Sequence, residues 1–369
     1  MGLRPTPMNE DAPRCGEHPA NRECVFNGAN AQILTTSCLV ARLWRIGDKV
    51  VIMTPAQLSR RGFAAALAGL AAHARSDAQS PEESQLGSLY PPIRAIADSS
   101  PLELSFLRPQ FRDLSSWQKT ARDRLFGLLL YAPPPVSPDV QVIERKQRDH
   151  YTEERITFRT TPQFRVPAHV LIPNGRQFPR PGVVLLHDHG GFYVWGREKL
   201  VATENEHPVL TKFKQEAYGA RSIGTELVRQ GYVVIAIDMF YWGERRHLMA
   251  GDPPECRERS SAMTEQQIND FNRRASQDEQ LIARSLLTAG VTWPGIMLWD
   301  DIRTLDYLAS RPEVDPKRLA CVGLSVGGYR SFILAALDPR IKAAVDVCWM
   351  TAFAAQIERH IVHTMGSRS

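Results

Sequence analysis

Residues 314–328 read Val314-Asp-Pro-Lys-Arg-Leu-Ala-Cys-Val-Gly323-Leu-Ser325-Val-Gly327-Gly328. An apolar run from Arg318 to Gly323 leads into a glycine-bounded turn, and a helical pattern from Val326 to Leu337 leads out of it. A Gly-x-Ser-x-Gly turn between a strand and a helix is tight enough that a side chain at Gly323 or Gly327 would collide with neighbouring backbone. The turn lifts the serine hydroxyl above the strand ends. The free N–H groups and positive dipole end of the helix point at the same place. Ser325 is thus the candidate nucleophile, and the Val326 N–H a candidate donor to an oxyanion. Gly328 lets the helix pack closely on the sheet. The plainer reading is a glycine-rich turn whose serine merely caps the helix.

Working outward, three more short runs are almost continuously apolar: Pro181–His187, Gly231–Asp238 and Ile341–Cys348. Such runs fit parallel strands covered on both faces. Helical patterns separate them, over 221–229, at Leu298, Ile302, Leu305 and Leu308, and over 326–337. The alternation predicts an α/β protein with a doubly wound, mostly parallel sheet. Residues 151–160 and 164–172 predict an edge hairpin, and 102–131 are expected to contain a helix with Trp117, Leu125, Leu128 and Leu129 on its apolar stripe. Between Gly243 and Gly295 lies a helical insertion, opened by a capping box at Thr264-Glu-Gln-Gln267 and placed to form a lid or substrate wall. A second motif, His187-Asp-His189-Gly190-Gly191-Phe192, follows the 181–187 strand. Its glycines let backbone approach a substrate, so Gly190 or Gly191 supplies the second oxyanion N–H, and the sequence leaves open which.

Composition is that of an ordinary globular protein: 369 residues, 43% hydrophobic, 23% charged, net charge +5. No apolar run approaches the ~18 residues of a membrane span, and no basic block argues for nucleic acid. Residues 59–63, Ser-Arg-Arg-Gly-Phe, precede an Ala-rich stretch and the small-x-small site Ala72-His73-Ala74. The pattern over 53–74 is that of a twin-arginine export signal. It predicts Met53 as the start, 1–52 as an over-extended leader, 75–101 as a linker, and a periplasmic or secreted protein; the alternative is a cytoplasmic one. Cys256, Cys321 and Cys348 remain in the body, and the latter two read as buried thiols.

The motifs His187–Gly191, Asp238-Met-Phe-Tyr-Trp-Gly243-Glu-Arg and Val314–Gly328 together resemble the α/β-hydrolase superfamily, in its dienelactone-hydrolase-like and acetyl-xylan-esterase-like branches. The resemblance covers about 150–350, and implies an α/β-hydrolase domain over 102–369. Dienelactone hydrolases in the narrow sense carry cysteine at the elbow; Ser325 here implies an esterase-type reaction on a short acyl or acetyl ester, through an acyl-enzyme, with no cofactor. The superfamily orders its triad Ser, acid, His along the chain. Only 44 residues follow Ser325, with His360, His363, Asp338, Asp346 and Glu358 among them. The sheet is therefore expected to lack its last two strands. The favoured expectation is a truncated chain; His360 or His363 as an unorthodox base and a non-catalytic binding protein or inactive fragment are the alternatives. The pairs His360/His363 and His187/His189 each lack a third ligand, so no metal is expected. The outer edge of strand 341–348 is expected to be apolar and prone to self-association. The expected partner is a small ester, with no nucleic acid.

Overall fold

The computed structural model describes residues 84, 86–175, 177–259, 261–350 and 356–357, together with the backbone of a hairpin formed by β1 (Arg42–Ile46) and β2 (Lys49–Met53). The twin-arginine pair, the Ala-x-Ala site, His360, His363 and Glu358 lie outside the described residues.

Among the described residues the main sheet has seven strands: β3 (Gln141–Gln147), β4 (Tyr151–Arg159), β5 (Arg165–Pro173), β6 (Arg180–Leu186), β7 (Val233–Ile237), β8 (Val314–Leu324) and β9 (Ile341–Val347). Their order is β3-β4-β5-β7-β6-β8-β9. The first three run antiparallel to their neighbours, and β7, β6, β8 and β9 are mutually parallel. This is the doubly wound, mostly parallel sheet expected, and among the described residues β9 is the last strand in its hydrogen-bonded order. Each residue of β7 is buried, because both faces are covered. Val233, Ile235 and Ile237 face α7 (Trp293–Ser310) and α8 (Val326–Leu337) through Leu305, Leu308 and Leu334. Val234 and Ala236 face Val228 of α4 (Ile223–Arg229), with Leu200 and Val201.

Three local expectations are corrected. Inside the segment read as a linker, Tyr90–Asp98 forms α1: Pro91 and Pro92 occupy the first turn, where their missing N–H groups cost nothing. The helix expected within 102–131 forms as α2 (Leu114–Leu129), capped by Asp113 accepting from the Ser116 N–H at 2.6 Å, but of its predicted stripe Leu129 is buried and Leu128 is exposed. Cys321 is buried as expected, whereas Cys348, at the end of β9, is exposed. Sequence reading also missed β3, whose polar run Gln-Val-Ile-Glu-Arg-Lys-Gln joins the sheet by pairing with β4. It missed α3 (Pro208–Tyr218) as well, which His207 caps by accepting from the Val209 N–H at 3.2 Å.

The insertion contains α5 (Pro254–Glu258) and α6 (Glu265–Thr288), and the capping box at Thr264 and Gln267 forms as predicted. It builds a second apolar core over the strand ends, where Ile268, Phe271 and Ala275 of α6 meet Tyr193, Tyr241, Trp242, Trp293 and Val326. Below it, α7 and α8 are joined by a fully buried ion pair, Arg330 Nε donating to Asp301 Oδ2 at 2.9 Å. Removing one partner leaves an uncompensated charge in the core. Arg330→Met is expected to lose about 3–5 kcal/mol of stability, and Arg330→Met with Asp301→Leu to recover most of it. Urea denaturation of the single and double variants measures both.

Candidate active site

Ser325 joins β8 to α8 with φ 56° and ψ −121°, a backbone conformation that L residues rarely adopt. The surroundings impose it. The Ser325 N–H donates to the Val347 carbonyl at 2.8 Å, which ties the turn to the end of β9. A Cβ at Gly323 would overlap the backbone of Gly327, one at Gly327 would overlap the Leu186 carbonyl, and one at Gly328 would overlap the Asp346 carboxylate. The glycines expected to be obligatory are so, each against a different neighbour. Ser325 makes no side-chain capping bond to α8, so the capping reading fails, and its residue is only half-buried. Val326 is buried, and its N–H, at the first position of the helix, is among those without an intrahelical acceptor.

The close approach of Gly327 to Leu186 and His187 brings the loop after β6 beside the elbow. Gly190 and Gly191 both adopt left-handed φ, 60° and 63°. The two candidate donors are not equivalent. The Gly191 N–H donates to His189 Nδ1 at 2.9 Å, whereas among the described residues the Gly190 N–H has no acceptor. Gly190 has no room for a side chain against Asp188 and Phe213.

The loop is held from beneath by buried polar groups. His187 is fully buried, donating from Nδ1 to the Asp188 carbonyl at 2.8 Å and accepting from the Met239 N–H at Nε2, 3.1 Å. Burial, with Lys199 and Arg330 nearby, holds its pKa well below the ordinary value. It is therefore neutral, with both nitrogens engaged, and is unavailable as a base. The ammonium of Lys199, completely buried, donates to the carbonyls of Asp188 and His189 at 3.1 and 3.2 Å, and Trp242 Nε1 donates to the latter at 3.2 Å. Asp238, read from the sequence only as part of a motif, accepts from the N–H groups of Arg197 and Glu244, both at 2.8 Å, and pairs with the Arg197 guanidinium. Gly196 and Gly243 are glycine because Asp238 fills the space a Cβ would need.

Lys199 and Glu279 were not singled out from the sequence, and Trp242 only as part of a motif. Their roles depend on contacts between segments up to 90 residues apart, such as His189 Nε2 to Glu279 Oε1. Among the described residues no imidazole hydrogen-bonds the Ser325 hydroxyl, and no group of three or more His, Cys, Asp or Glu is arranged to hold a metal. A charged cleft around Arg148, Glu153, His169, Arg197 and Glu198 does not include Ser325, and its charges are largely paired with one another.

The comparisons agree with this architecture. Residues 200–348 match the model of the dienelactone hydrolase family, and residues 97–252 that of an abhydrolase family. "Putative hydrolase YtaP" of Bacillus subtilis is 30% identical over 241 residues, 65% of each chain. "Thiohydrolase apmlB" of Arthrinium phaeospermum is 43% identical over 44 residues, 12% of this chain and 14% of that one. In structure, a Bacteroides fragilis protein described as a "putative acetyl xylan esterase" superposes with a TM-score of 0.52 at 21% identity, over 71% of this chain and 64% of that one. The chain thus spans about 65% of the length of the curated relative. The fold is that of the α/β-hydrolases. In sequence the chain is similar to the dienelactone hydrolase family over 200–348, and in fold to an acetyl xylan esterase, as the sequence motifs imply.

Among the described residues Asp346 is the downstream acid beside the elbow. Asp338 is instead paired with Arg340. Both Asp346 carboxylate oxygens are inaccessible, with no well-formed hydrogen bond among the described residues. Burial pushes its pKa up to about 6, opposed in part by the nearby Trp349 N–H. An acid whose folded pKa exceeds its ordinary value of 3.8 weakens folding as it ionises, so its contribution falls between about pH 4 and 6 and stays low above. Asp346→Asn is expected to change stability little at pH 4 and to raise it by about 1 kcal/mol at pH 8, the full shift being discounted because the residue is only half-buried. Chemical denaturation at the two pH values checks this. A loss of stability confined to pH 8 would show that the carboxylate is favourably partnered.

Proposed function

We propose that this chain is a serine hydrolase that cleaves a carboxylic ester of a short acyl group, acetyl among them, through an acyl-enzyme. The observation that carries the reading is the strained elbow, which holds Ser325 at the head of α8 between the ends of β6 and β9. Ser325 Oγ attacks the ester carbonyl, and its proton passes to an imidazole base. The Val326 and Gly190 N–H groups receive the negative charge that develops on the carbonyl oxygen. The alcohol leaves with a proton from the imidazole, and water hydrolyses the acyl-enzyme by the reverse use of the same base. Acetyl esters of carbohydrates enter the proposal through the acetyl xylan esterase to which the fold is similar.

Among the described residues the only histidine in the oxyanion loop with a half-exposed ring is His189, and its nitrogens face Gly191 and Glu279. The base is therefore sought first at His360 and His363. A fluorophosphonate probe is expected to label the full chain, and the chain to hydrolyse p-nitrophenyl acetate; Ser325→Ala should abolish labelling and lower turnover by at least 10³-fold, of the order seen when a triad nucleophile is removed. Folded protein that neither labels nor turns over would leave a non-catalytic member of the fold.

We also propose export through the twin-arginine route. Among the described residues no single helix is long and apolar enough to cross a membrane. The support for the route is the Ser59-Arg60-Arg61-Gly62-Phe63 pattern and its Ala-x-Ala site. A reporter fused behind residues 53–80 should reach the periplasm, and Arg60→Lys with Arg61→Lys should retain it in the cytoplasm. Export unaffected by the lysine pair would remove the proposal.

A further inference from the structure

The insertion helix α6 contacts the oxyanion loop through one face. Asn272, Ala275 and Glu279 lie at i, i+3 and i+7, so their side chains share a side of the helix. Asn272 Oδ1 accepts from the Tyr193 N–H at 2.8 Å. The Ala275 carbonyl accepts from the Tyr241 hydroxyl at 2.9 Å. Glu279 Oε1 accepts from the Tyr193 hydroxyl and from His189 Nε2, both at 2.6 Å. Glu279 is 4% exposed and Tyr193 is fully buried, so these bonds are shielded from water. Burial and the Glu279 charge push the Tyr193 phenol well above its ordinary pKa, so it remains a donor.

The pattern at His189 has a chemical consequence. A neutral imidazole carries one N–H and one acceptor nitrogen. Because Glu279 accepts from Nε2, the proton sits there and Nδ1 is left as the acceptor. Nδ1 receives the Gly191 N–H at 2.9 Å. The ring is itself packed edge-on against Trp242, with centroids 4.9 Å apart. One carboxylate on the insertion thereby selects the tautomer of a loop histidine, and that tautomer turns one of the two glycine N–H groups away, leaving the other free.

We propose that Glu279 and His189 are positioning residues for the oxyanion site: Glu279 fixes the His189 tautomer, His189 engages the Gly191 N–H, and the Gly190 N–H is thereby presented beside that of Val326. This rests on the serine-hydrolase reading above and assigns the insertion a part in catalysis beyond covering the substrate. In this assignment neither residue contacts the substrate. Their effect belongs to the charged transition state, and so to kcat rather than KM.

The test compares amide substitutions in the full chain. In His189→Asn an amide oxygen stands near the place of Nδ1 and can still accept the Gly191 N–H. In His189→Gln the amide reaches the place of Nε2, and that acceptor is lost. Both variants lose the same aromatic packing, so a purely structural role would move them together. For p-nitrophenyl acetate, His189→Gln is expected to lower kcat at least about ten-fold more than His189→Asn, with KM of the two within about three-fold, the scale expected when an oxyanion donor is misplaced. Glu279→Gln and Glu279→Leu give a second pair, should either histidine variant fail to fold. In Glu279→Gln the side-chain amide oxygen still accepts from the His189 Nε2–H, and kcat is expected to stay at least about five-fold above that of Glu279→Leu. Equal or reversed order within a pair, or a loss carried by KM, overturns the inference. Wild-type protein that shows neither turnover nor Ser325-dependent fluorophosphonate labelling overturns the serine-hydrolase reading instead, and this inference with it.

Discussion

The arrangement depends on one close approach: α8 lies so near the end of β6 that Gly327 has no room for a Cβ against the Leu186 carbonyl. This contact is backbone against backbone, so no rotamer change can relieve it. It sets the height of α8 above the sheet and the distance from the elbow to the loop that follows β6. A larger residue would push the helix outward and separate Ser325 from the loop glycines. Gly323 and Gly328 repeat the constraint on the elbow itself and on β9, so the head of α8 is located by three neighbours at once. The unusual dihedrals of Ser325 follow from this fit, since strain of this kind persists only where the surroundings over-determine it.

The loop facing the elbow carries backbone carbonyls into a nearly dry interior, and they must be satisfied there. The structure does this with charge. The Lys199 ammonium covers the carbonyls of Asp188 and His189, and Asp238 gathers the N–H groups of Arg197 and Glu244. Charges are costly to bury, and each here is compensated at short range: Lys199 by Asp188 at 3.6 Å and by the faces of Phe213 and Phe192, Asp238 by Arg197. The result is a loop whose backbone conformation is held by hydrogen bonds shielded from water, which is what the proposed oxyanion site requires of its donors.

Much of this was legible in the sequence because it is local. The strand–turn–helix around Ser325, the apolar runs of β6 to β9 and the Thr264 capping box are set by residues a few positions apart. Short glycine motifs told where backbone had to come close, though not against what. The misses have a common physical origin. β3 has no apolar alternation of its own and exists through its partner, and α1 begins with two prolines that read as a break but are tolerated in a first turn. Lys199, Trp242 and Glu279 look like ordinary residues until folding places them under or beside His189. The choice between Gly190 and Gly191 had the same character: both are glycines at left-handed φ, and only the side chain of His189 separates them.

The insertion illustrates how chemistry can be distributed over a fold. A helix laid over the strand ends could serve merely to exclude water, and its apolar residues Ile268, Phe271 and Ala275 do contribute to such a cover. Its polar residues on the same side, Asn272 and Glu279, are too buried to serve solubility and too specifically bonded to be incidental. A carboxylate sequestered beside two donors is a fixed point, because moving it would strand a charge in an apolar surround. The loop leans on that fixed point from His189 to Tyr193. The elbow, rigid through backbone packing, and the loop, rigid through buried charge, therefore meet as two independently braced surfaces. In the proposed reaction, the space between them is where a carbonyl oxygen changes from neutral to anionic, and donors braced in advance need little reorganisation when it does.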